Sequence, residues 1–144
     1  MELAITKLHA DAIVPRYAHD GDAGMDLVAV EGIVLSAGGG RALVATGLAV
    51  AIPAGFAGLV LPRSGLASSH GVTCVNAPGL IDAGYRGEVR VALVNLDPHE
   101  DYEIHPGDRV AQLVLVAVPF LEPRLVDELP AATRGEGGFG STGR

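Results

Sequence analysis

The sequence predicts an all-β domain, a barrel or a sandwich. Three observations carry that expectation. Apolar runs of roughly four to eight residues recur along the chain with turn-forming residues between them. No window sustains a helical period. Twenty Gly and nine Pro are scattered without a collagen repeat, while aromatics make up only 4% of a chain that is 49% hydrophobic. Many tight turns are therefore available, and the core must be built from Val, Leu, Ile and Ala.

In chain order, residues 3–8 alternate weakly and read as an opening strand. Residues 9–22 are polar and irregular, with Pro15 among them, and lead into Ala23-Gly24-Met25-Asp26-Leu27. Residues 27–30 and 33–35 read as short strands around a turn at Glu31-Gly32. Gly38-Gly39-Gly40 is a turn, and residues 41–52 form a long apolar stretch broken by Gly47. Pro53-Ala54-Gly55 turns the chain into a strand at 56–61 that ends at Pro62. Residues 66–69 read as one helical turn. Residues 76–95 read as a β-hairpin: a short strand ends at Ile81-Asp82, Ala83-Gly84-Tyr85-Arg86-Gly87 makes the bend, and 88–95 is the return strand, with β-branched Val89, Val91 and Val94. Residues 98–107 are polar. Residues 109–118 are the strongest strand in the chain, and 120–126 one more short strand. The long apolar runs are buried on more than one side, which a small monomeric sandwich rarely needs, so an oligomer is expected.

At 144 residues the chain is one domain by length and large enough to bury a core. A net charge of −7 excludes a general nucleic-acid footprint. An anionic small ligand would need local arginines and a cation to offset that background. The one cysteine, Cys74, lies in an apolar run and reads as a buried small hydrophobe. The five histidines have no metal-ligand spacing and read as surface residues. No signal peptide or apolar span is apparent, and the expected location is the cytoplasm.

Two stretches carry chemistry beyond what a β core requires. A turn built only to reverse the chain needs Gly, Asn or Asp; the 82–87 bend adds Tyr85 and Arg86 beside a carboxylate. From Pro130 the composition changes to a Gly-rich tail, RGEGGFGSTGR, whose one large apolar group is Phe139, with Arg134 before it and Ser141-Thr142 at its end. Gly-rich backbone offers consecutive N–H groups to phosphate oxygens, and an arginine can clamp them. The tail is not a Walker A loop, since it has no Gly-Lys-Ser/Thr. The expected organisation is a core at residues 1–126 and a flexible arm at 127–144. From Leu125 to Phe139 that arm reaches roughly 45 Å, enough to close over a neighbouring subunit's site.

Five ordered segments, AGMDL, PRSGLA, NAPGLIDAGYRGE, GDRVAQL and RGEGGFGSTG, together resemble the trimeric dUTP pyrophosphatase (dUTPase) family across almost the whole chain. The resemblance implies a distorted jelly-roll β-barrel, a homotrimer with an exchanged C-terminal segment, and hydrolysis of dUTP to dUMP and pyrophosphate with Mg²⁺. That reaction clears dUTP from the nucleotide pool and supplies dUMP for dTMP synthesis. No nucleic-acid or membrane partner is implied.

Residue by residue, Asp82 matches the carboxylate that orients and deprotonates the water attacking the α-phosphorus. A carboxylate is a weak base, so alignment and charge stabilisation must supply most of the acceleration. Tyr85 matches the aromatic beneath the deoxyribose, which leaves no room for a 2′-hydroxyl. Asn76, with backbone near Leu80, Ile81 and Asp82, matches the uracil pocket. Arg63, Ser64 and Gly65 match a phosphate-contacting motif, and Gln112 a further phosphate-side residue. Ser64 lacks a nucleophile elbow and is not read as a nucleophile. Asp26 matches the metal-side carboxylate and is expected to act through water, because Mg²⁺ dehydrates reluctantly. Asp108 and Arg109 are expected to make a structural ion pair or an intersubunit contact. Arg134 matches a γ-phosphate clamp, Phe139 the aromatic over uracil, and Gly140, Ser141 and Thr142 the arm's phosphate contacts. In the family three subunits contribute to each site. Leu80 departs from the smaller or β-branched residue common there. The competing readings are a dCTP deaminase of the same fold, which needs a general acid/base glutamate near the pyrimidine, and a nucleotide-sensing trimer without turnover.

Overall fold

The computed structural model describes residues 2–133 and 135. Along the chain these form β1 (Ala4–Lys7), β2 (Met25–Val28), β3 (Ile33–Leu35), β4 (Arg41–Ala51) and β5 (Phe56–Leu61). The helix α1 (Ser64–His70) follows, then β6 (Val72–Cys74), β7 (Gly79–Ile81), β8 (Glu88–Asn95), β9 (Tyr102–Ile104) and β10 (Arg109–Ala117). One antiparallel sheet has the order β1-β4-β8-β6, a second β2-β10-β5-β7, and β3 pairs with β9. The expected all-β, jelly-roll-like architecture is what the chain adopts.

Period-2 alternation explains how the sheets bury their faces. Along β8, Val89, Val91, Leu93 and Asn95 point inward and are at most 2% exposed, while Arg90 points out. The second sheet meets them with Leu27, Val60, Val110 and Leu113. Cys74 is packed into the same core, and burial pushes its thiol pKa up, as fits a packing role. Asn95 is the polar member of that face. Its Nδ2 donates to the Leu35 carbonyl at 3.0 Å and the Glu100 carbonyl at 2.8 Å, and its Oδ1 accepts the Asp97 N–H at 3.0 Å. It ties the end of β8 to β3 and to the loop before β9. Removing it would leave buried backbone groups unpaired, at about 1–3 kcal/mol each.

Gly47 does not end the long apolar run, as a strand breaker would. It sits at φ 65° inside β4, where the register with β8 shifts between Ala45 and Ala49. Its N–H donates to Glu88 Oε1 at 2.9 Å, and its carbonyl accepts the Leu8 N–H at 2.7 Å. A Cβ there would lie 2.6 Å from His9 Cβ. The bulge bends one eleven-residue strand instead of dividing it.

Other expectations need correction. Residues 76–95 are not a hairpin: β7 pairs with β5 in the second sheet, with Gly58 opposite Ile81, whereas β8 pairs with β4 and β6 in the first. The 82–87 bend therefore crosses from one sheet to the other. Sequential strands pair only about two-thirds of the time, and a loop this long is not tied to hairpin register. Residues 120–126 make no strand; Pro119 and Pro123 lack N–H donors, and Phe120, Leu121 and Leu125 are 96%, 77% and 99% exposed. The helical turn extends to seven residues. The three-residue strands β6 and β9 went unpredicted: β9 lies in a stretch read as polar, and β6 lies between the expected helical turn and the expected hairpin. Among the described residues, no helix is long and apolar enough to cross a membrane.

Candidate functional site

The bend after β7 is held from within. The Asp82 carbonyl accepts the Tyr85 N–H at 3.0 Å, and Arg86 Nη1 donates to the carbonyls of Ala83 and Tyr85, both at 2.7 Å. Arg86 thus ties down its own loop. Tyr85 Oη donates to the Glu88 carbonyl at 2.9 Å, which fixes the ring while leaving the residue 45% exposed. The Asp82 side chain is exposed, and among the described residues no donor reaches its carboxylate. Leu80, Ile81, Asp82 and Tyr85 line a cleft of about 280 Å³ together with Leu43, Glu88 and Arg90. Leu80 turns outward, 66% exposed, while Gly79 and Ile81 on either side are buried. Asn76 lies in the turn before β7, and its amide packs so close to Gly79 that a Cβ there would sit 3.2 Å from Nδ2. Glu88 lines the cleft, but its carboxylate is engaged by the Gly47 N–H at 2.9 Å and by Arg90 Nε at 2.6 Å.

A second group gathers at the opposite edge of the second sheet. Gln112 on β10 stands opposite Asp26 on β2, so the two side chains share a face. Asp26 Oδ1 lies 3.4 Å from Arg63 Nε, and Oδ2 lies 3.3 Å from Arg109 Nη1. Arg63 Nη1 also donates to the Arg109 carbonyl at 2.9 Å. The Asp26 side chain is only 18% exposed, and Oδ1 is buried without a hydrogen-bond partner among the described residues. Arg63 precedes α1, whose first residues, Ser64 and Gly65, are exposed; a Cβ on Gly65 would meet open space, so backbone there is accessible. Asp26 and Arg109 also wall a cleft of about 320 Å³ that includes Arg16.

Arg109 therefore serves the acid cluster and makes no ion pair with Asp108, whose carboxylate accepts the His105 N–H at 2.8 Å. A register shift between Arg109 and Ala111 accompanies that orientation, and nothing in the sequence marks it. Arg16, which lines the second cleft, was not singled out by the sequence.

The two groups stay separate within one chain. They share no hydrogen bond or ion pair among the described residues, and they line different clefts. With β10 and β5 between β2 and β7, the strands carrying the two carboxylates are about 14 Å apart. Arg134, Phe139, Gly140, Ser141 and Thr142 lie outside the described residues.

A jelly-roll-like domain that presents one carboxylate beside an anchored aromatic ring, and another among arginines, is equipped to take a nucleotide by its ring systems and its phosphates. The comparisons make that class specific. The dUTPase family model matches residues 10–143, and the chain belongs to this family. The deoxyuridine 5′-triphosphate nucleotidohydrolase of Thermobifida fusca is 54% identical over 143 residues, covering 99% of this chain and 79% of its own. That of Mycobacterium marinum is 55% identical over 146 residues, covering 98% and 94%. Among solved structures, the Staphylococcus bacteriophage 80alpha dUTPase with dUpNHpp superposes with a TM-score of 0.93 at 31% identity, covering 99% of each chain. A mutant dUTPase of S. aureus phage phi11, described for its coordination of a structural Mg(II) ion, gives 0.83 at 29% identity, covering 91% of this chain and 100% of that one.

Proposed function

We propose that this chain hydrolyses dUTP to dUMP and pyrophosphate, in the cytoplasm, at sites shared between the copies of a homotrimer. The observation that carries the reading is the sheet-crossing bend, which offers an unencumbered Asp82 carboxylate beside the fixed Tyr85 ring at the mouth of a cleft. Asp82 orients a water toward the α-phosphorus and takes its proton. Tyr85 packs beneath the deoxyribose. Asn76 and the backbone of Leu80, Ile81 and Asp82 read the uracil edge, and wrong bases are rejected because they would leave buried groups unpaired. Arg63, Ser64, Gly65 and Gln112 take the phosphates. The core is residues 1–126, and the arm, 127–144, brings Arg134, Phe139, Gly140, Ser141 and Thr142.

The residues present suit Mg²⁺ of a particular kind. Among the described residues, no group of three or more His, Cys, Asp or Glu is placed to hold an ion; Asp26 would hold it through water, with the phosphates as direct ligands. Its Oδ1, buried and without a hydrogen-bond partner among the described residues, is suited to accept from a metal-bound water. When bound, Mg²⁺ neutralises charge on the phosphate oxygens. Two arginines against one aspartate leave the cluster positive, which favours the triphosphate and disfavours a bare cation.

A trimer is supported by the separation of the two groups. The strands that position the two groups stand about 14 Å apart, so one copy does not bring its own bend to its arginines, whereas a second copy can. The exposed Phe120, Leu121, Leu125 and Leu129 supply apolar surface for such contacts. Light scattering of the full chain is expected to give the mass of three chains; a monomer that turns over dUTP would refute the shared site.

A deaminase is disfavoured among the described residues, because Glu88, the glutamate that lines the cleft, has its carboxylate committed to Gly47 and Arg90. Offered dUTP and dCTP separately, the chain is expected to release pyrophosphate from dUTP and no ammonia from dCTP. Ammonia from dCTP, or no pyrophosphate from dUTP, would overturn the reading.

A further inference from the structure

Gly87 is not a glycine of necessity by its backbone: it is absent from the glycines that adopt positive φ. What it meets is a side chain. A Cβ built on Gly87 would collide with Tyr85 Oη, lie 2.6 Å from Cζ and 3.0 Å from Cε2. The tip of the Tyr85 ring therefore rests on the bare Cα of Gly87, and the next carbonyl, Glu88, accepts its hydroxyl at 2.9 Å. One side of the ring is thereby seated on backbone. The residue also lines the cleft that Ile81 and Asp82 share.

We infer that Gly87 is a positioning residue for dUTP: its missing side chain seats Tyr85 at the height at which the ring excludes a 2′-hydroxyl. The inference rests on Tyr85 being the sugar platform proposed above. Any side chain at position 87 must displace the ring tip, by about 1 Å where ordinary contact is restored. Glu88 cannot follow the ring, because its carboxylate is bonded to Gly47 and Arg90. That displacement therefore breaks the Oη hydrogen bond and moves the platform relative to Asp82. Ground-state binding to the rest of the nucleotide is left in place, while alignment and sugar discrimination suffer.

The test is a double-variant cycle read on dUTP and UTP. Gly87→Ala is expected to lower kcat/KM for dUTP about tenfold and to reduce the preference for dUTP over UTP by a similar factor. Tyr85→Ala is expected to lower the same preference, and adding Gly87→Ala to it to change nothing further. Tyr85→Phe, which keeps the ring and its seat, is expected to retain most of the preference. Independent, multiplicative effects of Gly87→Ala and Tyr85→Ala would make Gly87 a merely structural residue and overturn the inference. A Tyr85→Ala variant with unchanged dUTP preference would instead remove the platform on which it rests, and a wild-type chain without dUTP turnover would remove the function itself. If Gly87→Ala alone yields no soluble protein, recovery of folding in the Tyr85→Ala, Gly87→Ala double variant supports the seat, and failure to recover overturns it.

Discussion

Asp82→Asn is expected to lower dUTP turnover by about 10³-fold while nucleotide affinity changes only a few-fold. A positioned general base contributes about 10²–10⁴ to rate. An amide keeps the size of the carboxylate and can still contact a water, but it cannot accept its proton. About 10³-fold corresponds to about 4 kcal/mol of transition-state stabilisation. Folding should be untouched, because Asp82 is exposed and among the described residues no donor relies on its carboxylate. Its backbone, which accepts the Tyr85 N–H, is unchanged by the substitution. Titration with dUpNHpp and single-turnover hydrolysis separate the two quantities. Turnover within tenfold of wild type would move the base elsewhere, and loss of affinity equal to the loss of turnover would make Asp82 a binding residue.

What could be read from the sequence follows from what a linear pattern encodes. Residues 56–61, 88–95 and 109–117 announced themselves because their apolar runs are long enough to show a period or a block, and β5 and β8 begin and end where expected. Pairing was not legible. The pattern of β7 says that Gly79 and Ile81 face inward, but not that their partner is β5 and not the neighbouring β8. The bulge at Gly47 was visible only as a break, since a positive φ is a property of the fold around it. The candidate residues of the bend and of the acid cluster were each nameable, because carboxylates, an aromatic ring and arginines outside a core need a reason. Their grouping was not. Arg109 turns to Asp26 beside a register shift in β10, whereas the sequence offered for Asp108 and Arg109 an ion pair or an intersubunit contact. The separation of Asp82 from Asp26 follows from strand order, which only the assembled sheets reveal.

Asp26→Asn carries the second large expected effect, about 10²-fold in turnover, together with a rise in the Mg²⁺ concentration needed for half-maximal rate. Asp26 has two duties that the substitution separates. It is the counter-charge that holds Arg63 and Arg109 together, at 3.4 Å and 3.3 Å, and it presents a buried oxygen without a hydrogen-bond partner among the described residues. Asparagine preserves the shape of the cluster and can still offer an oxygen to one guanidinium, so the fold should survive with a cost of about 1 kcal/mol from a partly screened pair. The missing negative charge is a different matter. In the proposed arrangement a carboxylate would hold the water of a bound Mg²⁺ by charge-assisted hydrogen bonds, roughly twice as strong as neutral ones, and an amide would hold it less well. The arginines, freed of their partner, should bind the ground-state triphosphate at least as well as before. KM for dUTP is therefore expected to stay level or fall while kcat drops, the pattern of an interaction made mainly in the transition state. The measurement is kcat and KM across an Mg²⁺ titration, beside a thermal melt of the same variant. A uniform rise in KM with kcat preserved would assign Asp26 to shaping the arginines alone. An unchanged Mg²⁺ midpoint would take the metal away from this edge of the sheet.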